Sequence, residues 1–155
     1  MSGVSAALSQ EVLIAAACTS VATRFMAHFD ANDGAGMAEL FTADGEWTRI
    51  DGVVRGRAAL LEMMARRPGS ILLQHILTNF VVDVRGPDRA VVKSVVTVYR
   101  HDFMGERRQL PAPLDGVHAV GRYVDELVLT EMGWKIARKS SESVFVRTEA
   151  PGGRT

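Results

Sequence analysis

Ile71-Leu72-Leu73-Gln74-His75-Ile76-Leu77-Thr78-Asn79-Phe80-Val81-Val82-Asp83-Val84 is the stretch whose reading decides the fold. It is apolar and rich in β-branched residues, and Gly86-Pro87-Asp88 turns the chain just after it. That composition favours a strand, and such a turn cluster ends one. Onward from it, residues 89–103 read as a second long strand and residues 104–117 as a polar loop containing Gly and Pro. Residues 118–130 and 134–147 read as two more strands joined by the tight Glu131-Met132-Gly133 turn. These strands run to roughly ten to fourteen residues, where five or six is usual. Long strands in one sheet twist and curl.

Backward from the same stretch the pattern is helical. Residues 57–65 read as a helix ended by Arg66-Arg67-Pro68-Gly69, preceded by a small hairpin of residues 46–50 and 53–55 turning at Asp51-Gly52. Residues 35–41 read as a short helix. Before it, Ile14, Cys18, Val21, Ala22, Phe25 and Phe29 form one apolar stripe at helical spacing. Ser9 is the expected N-cap of that helix, with Glu11 in its first turn, and Asn32-Asp33-Gly34 ends it. Helices first and strands later predict the α+β class. The expected architecture is a curled mixed or antiparallel sheet packed on a long N-terminal helix, a cone whose open end is a pocket. Residues 1–8 are expected to be disordered, residues 9–147 to form one domain, and residues 148–155 to be a flexible tail.

The chain has 155 residues, 47% hydrophobic and 23% charged, with 18 basic and 18 acidic side chains. Such a chain fits one globular domain with a sizeable core. No basic run is present to track a phosphate backbone, so nucleic acid is not an expected partner. No apolar stretch reads as membrane-spanning, so no membrane partner is expected either. Cys18 is the single cysteine, which excludes an intrachain disulfide. The segment 12–18 resembles a signal core or lipobox only superficially. No Lys or Arg precedes Arg24, and Ala15 stands where a lipobox has leucine. A cytoplasmic location is the expectation.

One pair carries the chemistry. His75 opens the first long strand, and Asp30 sits in the last turn of the long helix, where the dipole disfavours a negative charge by about 0.3–1 kcal/mol. A carboxylate tolerated there needs a donor or cationic partner, and His75 can supply it. A histidine held by a carboxylate is a simple general base near neutral pH. The competing readings are a satisfied core histidine and a solvent-facing Asp30 beside Asp33. Three histidines (His75, His101, His118) fall on strands, but no short-spaced His or Cys pair exists, so neither a metal nor a cofactor is expected.

The order of elements and several motifs resemble the SnoaL-like branch of the nuclear transport factor 2-like superfamily, the cystatin-type α+β cone. The motifs are Phe29-Asp30-x-x-Asp33, Leu40-Phe41-Thr42-x-Asp44-x-x-Trp47, Gln74-His75-x-x-x-Asn79, Gly121-Arg122-Tyr123-x-Asp125 and Gly133-Trp134-Lys135-Ile136, spread over residues 10–147. Members with known chemistry include scytalone dehydratase, lindane dehydrochlorinase and bile-acid 7α-dehydratase. They use an aspartate–histidine dyad, and the resemblance places those roles on Asp30 and His75. The chain departs from these enzymes at Phe29 and Phe25, where they carry tyrosine or lysine. The arginine of the dehydrochlorinase and the Asp-Arg-Asp triad of limonene-epoxide hydrolase have no visible counterpart.

Around the pair, strict alternation puts Leu73, His75, Leu77, Asn79 and Val81 on one face. Asn79 either bonds substrate or satisfies a neighbouring strand. Tyr99 and His101 share a face of the next strand and are candidates for proton donor or enolate stabiliser; a solvated strand end is the other reading of His101. His118 and Arg122 share one strand face and Tyr123 and Asp125 the other, and the resemblance favours Tyr123 inward. Trp47, Phe25 and Phe29 are candidates to line the pocket, as are core positions for them.

The function expected is a cofactor-independent lyase, a dehydratase first, or an isomerase. Its substrate is a small hydrophobic cyclic molecule bearing a carbonyl. The alternatives are a non-catalytic small-molecule-binding module, a structural oligomer subunit of the same fold, and a β-subunit of a ring-hydroxylating dioxygenase. By resemblance the chain is expected to be a homo-oligomer, dimer or trimer.

Overall fold

A computed structural model describes residues 2–105 and 107–148, with side chains from residue 8 onward. The order is α1 (Ser2–Asp30), α2 (Gly34–Glu39), β1 (Phe41–Arg49), β2 (Gly52–Arg55), α3 (Gly56–Ala65), β3 (Ile71–Val84), β4 (Arg89–Asp102), β5 (Ala119–Thr130) and β6 (Gly133–Val146). The six strands form one sheet in the order β2-β1-β6-β5-β4-β3. All neighbours run antiparallel except β1 and β6, which are parallel, so the sheet is mixed. The α+β class and the curled sheet on a long helix are as expected.

The helix α1 packs along the concave face. Ile14, Cys18, Val21, Ala22, Phe25, Met26 and Phe29 are buried, which is the predicted stripe with Met26 added. Against them lie Phe41 and Trp47 of β1, Val92 and Val96 of β4, Tyr123 and Leu127 of β5, and Ile136 of β6. Leu8–Asp30 has the length and apolar composition of a membrane-spanning helix, contrary to the sequence expectation. In the fold its apolar stripe belongs to the core.

Two boundaries differ from the sequence reading, and a third falls outside the described residues. The helix begins at Ser2 rather than at a Ser9 cap, so the segment expected to be disordered is helical from residue 2. Ala6, Ala7 and Leu8 are strong helix formers, and propensity outweighs the capping signal there. The expected loose tail lies outside the described residues from position 149. The strand β1 starts at Phe41, not near Glu46. A register irregularity between Phe41 and Glu46 breaks the alternation and hides the early start.

The end of α1 sets the position of Asp30. Asn32 adopts a left-handed conformation (φ 57°), and the Asn32 and Asp33 amides donate to the Phe29 and His28 carbonyls at 3.1 and 2.8 Å. This is a Schellman closure with Asn32 in the usual glycine position. Asp33 then caps α2 by accepting from the Gly36 amide at 2.9 Å.

Candidate active site

A cavity of about 560 Å3 opens at one end of the cone. Its walls come from the last turn of α1, the end of β1, the α3–β3 connection and the middle and end of the long strands. Phe29, Trp47, Met63, Met64, Leu73, Val96 and Val98 make it largely apolar. His75 and Tyr123 reach into it.

Asp30 and His75 meet here. The Oδ1 of Asp30 lies 2.5 Å from Nδ1 of His75, and Oδ2 accepts from the His75 backbone amide at 2.7 Å. Gln74 Nε2 adds a longer contact to Oδ2 at 3.3 Å. The two side chains are only 12% and 7% exposed, so the contact is shielded from water. The donors answer the cost of a carboxylate at a helix C-terminus. With Nδ1 committed to a carboxylate, a proton sits on Nδ1, and in the neutral ring the lone pair is on Nε2. Nε2 makes no hydrogen bond to the described residues. The ring of Phe29 stands edge-on to the imidazole, centroids 5.4 Å apart, and fixes its tilt.

Of the other expected residues, Trp47, Phe29 and Tyr123 line the cavity. Trp47 is pinned by its Nε1, which donates to Ser141 Oγ at 2.8 Å across the β1–β6 pair. Burial raises the pKa of the Tyr123 hydroxyl, with Asp125 and Asp30 adding to the effect, so it is a neutral donor at physiological pH. Gly121 also faces the cavity; a Cβ there would come 2.6 Å from the Glu142 carbonyl, so only glycine lets β5 and β6 close at this point.

Four expected residues do not line it. Phe25 is wholly buried one turn below, between Phe29, Phe41 and Trp47, and is core. Asn79 is exposed, with φ 52°, at a bulge where Asn79 and Phe80 together face Ser94 of β4. The extra residue flips the alternation, so Leu73, His75 and Leu77 point inward before it, and Phe80, Val82 and Val84 after it. Val81, placed inward by strict alternation, is 60% exposed for the same reason. Tyr99 and His101 point to the outer face of the sheet, because the even-numbered side chains Val96, Val98 and Arg100 of β4 face the cavity. His101 packs edge-on against Phe103 instead.

Several lining residues escaped the sequence reading. Arg49, Arg67, Arg100 and His118 stand at the mouth. A signal for Arg100 existed: Lys93 and Thr97 share the parity of Tyr99, and a lysine belongs on the wet face. Beneath Tyr123, Lys139 Nζ bonds Asp125 Oδ1 at 2.8 Å and lies 4.2 Å from the Tyr123 ring centroid and 4.8 Å from that of Phe25. Strict alternation from Ile136 would put Arg138 inward and Lys139 outward; a break in the β5–β6 register past Ile136 turns Lys139 inward instead. Among the described residues no group of three or more His, Cys, Asp or Glu is placed to hold a metal ion.

The model of the SnoaL-like domain matches residues 10–140. This chain belongs to the SnoaL-like family. Solved structures similar to this SnoaL-like protein carry the nuclear transport factor 2-like, cystatin-like fold. A protein provisionally named scytalone dehydratase from Novosphingobium aromaticivorans is 22% identical, with TM-score 0.75, over 96% of this chain and 99% of that one. An NTF2-like protein with a cystatin-like fold from the same species is 21% identical, TM-score 0.72, over 93% and 90%. The hexachlorocyclohexane dehydrochlorinase LinA-type3 from Novosphingobium barchaimii is 15% identical, TM-score 0.74, over 94% and 97%. At these identities the likeness establishes the fold. No curated protein matches the chain.

Proposed function

We propose that this SnoaL-like protein is a cofactor-independent lyase, a dehydratase first and an isomerase second, acting on a small apolar cyclic substrate with a carbonyl group. The observation that carries the reading is the 2.5 Å contact between Asp30 and His75 Nδ1, which leaves Nε2 free on the wall of an apolar cavity. His75 Nε2 takes a proton from the carbon next to the carbonyl, and the electron pair moves onto the carbonyl oxygen as an enolate. Asp30 holds the ring in one tautomer and stabilises the imidazolium. In dehydration the enolate re-forms the carbonyl as the β C–O bond breaks, and the departing hydroxyl leaves as water with a proton from the imidazolium. In isomerisation the same proton returns to the γ carbon. The neutral Tyr123 hydroxyl is the group able to donate to the enolate oxygen. General-base catalysis of this kind contributes about 10²–10⁴-fold. The protein is proposed to work in the cytoplasm as a homo-oligomer.

A binding module is the second reading, favoured by the wholly buried Phe25, which leaves that position without a leaving-group donor. The discriminating experiment is deuterium exchange. Cyclic β-hydroxy ketones and β,γ-unsaturated ketones are incubated with the protein in heavy water and followed by NMR. Enzyme-dependent deuterium uptake next to the carbonyl, lost in His75→Ala, is the expected result. Uptake that is absent, or unchanged in His75→Ala, leaves the binding module as the better reading.

A further inference from the structure

The mouth of the cavity has a charge of its own. The ends of β1, α3 and β4 and the start of β5 converge there, and bring Arg49, Arg66, Arg67, Arg100 and His118 around one opening. The acidic groups at the same opening are already engaged. Asp51 pairs with Arg49 at 2.8 Å, and Glu142 lies 3.7 Å from Arg122. Deeper in, Asp30 is held by His75. Arg66 is occupied by Glu62, and Arg100 has Asp102 at 3.9 Å.

Arg67 differs from these. Its guanidinium donates to the Phe29 carbonyl and lies 5.0 Å from the Phe29 ring centroid, directly above the residue that precedes Asp30. No carboxylate of the described residues lies within 4.0 Å of it. Burial holds its pKa below the ordinary value; Asp30 opposes that and Arg108 adds to it. A half-buried arginine aimed along an apolar wall, with part of its donor fork unspent, matches a planar anion. The whole chain carries no net charge. The excess at the mouth is therefore local, and a low-dielectric cleft focuses such a field.

We infer that the ligand of this cavity is an organic anion, an apolar ring system bearing a carboxylate, with Arg67 as its principal contact and the rest of the basic mouth drawing it in. The inference rests on the cavity being the ligand site, as the proposed function requires, but not on any reaction there. A carboxylate engaged by Arg67 holds the ring system against Phe29 and Trp47 and presents its carbon skeleton to His75.

Two flat probes of equal size, 2-naphthoate and 2-naphthamide, test this by calorimetry at low salt. Wild-type protein is expected to bind naphthoate at least tenfold more tightly than naphthamide, with a preference that shrinks as salt is raised. Arg67→Met should remove the preference, and Arg66→Gln should keep most of it. Circular dichroism and the melting temperature of each variant separate lost binding from lost fold, and Arg67→Lys keeps the charge if Arg67→Met does not fold. Equal affinity for the two probes, no binding of naphthoate, or a preference that survives Arg67→Met overturns the inference. Calorimetry on these unreactive probes needs no turnover, so a failed deuterium-exchange result and a failed anion preference are read separately.

Discussion

Lys139 and Asp125 form an ion pair from which water is excluded: Nζ and Oδ1 are 2.8 Å apart, and the side chains are 0% and 1% exposed. Each charge is desolvated, and the second Asp125 oxygen has no hydrogen-bond partner among the described residues. Such a pair is costly to break from one side and cheap to remove whole, because a lone buried charge is the worst state. Lys139→Met alone is expected to destabilise the fold by about 3–5 kcal/mol. Adding Asp125→Asn to Lys139→Met should recover most of that loss. Urea denaturation of the single and double variants checks it; an additive double variant would show that the charges do not depend on each other.

Asp30 sets the tautomer of His75, which makes Asp30→Asn informative. The amide can still accept from the His75 backbone, but its NH2 faces Nδ1 and drives the proton to Nε2, where it blocks the base. On the general-base role proposed for His75, turnover is expected to fall by about 10²–10⁴-fold, with melting temperature changed far less. The check is deuterium uptake by an exchangeable ketone, measured for wild type, Asp30→Asn and His75→Ala side by side.

Asn79 is a conformational position rather than a contact. With φ at 52°, Asn79→Gly is expected to leave stability within about 0.5 kcal/mol, whereas Asn79→Val forces a β-branched residue into that region at about 1–3 kcal/mol. Neither should alter deuterium uptake beyond the effect on folding. A Val variant as stable as wild type would mean that the bulge is not held at this residue.

His118 carries the pH dependence of the mouth. Burial, then Arg100 and Arg147, hold its pKa below 6.5. Below 6.5 the unfolded chain therefore binds a proton that the folded chain resists, and stability declines as pH falls through that range. NMR titration should place His118 below 6.5, and Arg100→Ala should move it upward. No movement would remove Arg100 from its surroundings.

Cys18 lies wholly inside the core, and burial pushes its thiol up to about 11. A thiol reagent at pH 8 is expected to modify the native protein at least about 100-fold more slowly than the urea-unfolded chain, since the thiolate is the reactive form. Fast native labelling would show that α1 opens readily from the sheet.

The fold was legible because its signals agree with one another. The apolar stripe on α1 and the β-branched runs of β3 to β6 each match one period, and the Gly-rich turns fall between them. Asp30 and His75 were legible as a pair because both sit in regular structure short of any bulge. Asn79 was misplaced, and Lys139 passed over, for one cause. Asn79 and Lys139 lie at or beyond irregularities of register, which flip a strand's faces without a mark in the local sequence. Tyr99 and His101 were misjudged by parity alone, against the evidence of Lys93. The basic mouth was invisible for a different reason: its arginines come from separate elements and converge only when the cone forms.

The bulge at Asn79 also divides β3 into two independent territories. Ahead of it, Leu73 and His75 answer to whatever enters the cavity. Past it, Phe80, Val82 and Val84 answer to the packing of the core. Because the inserted residue resets the alternation, Leu73 can change size to suit a new ligand while the second set keeps its register. One strand can then retune its specificity without renegotiating its stability.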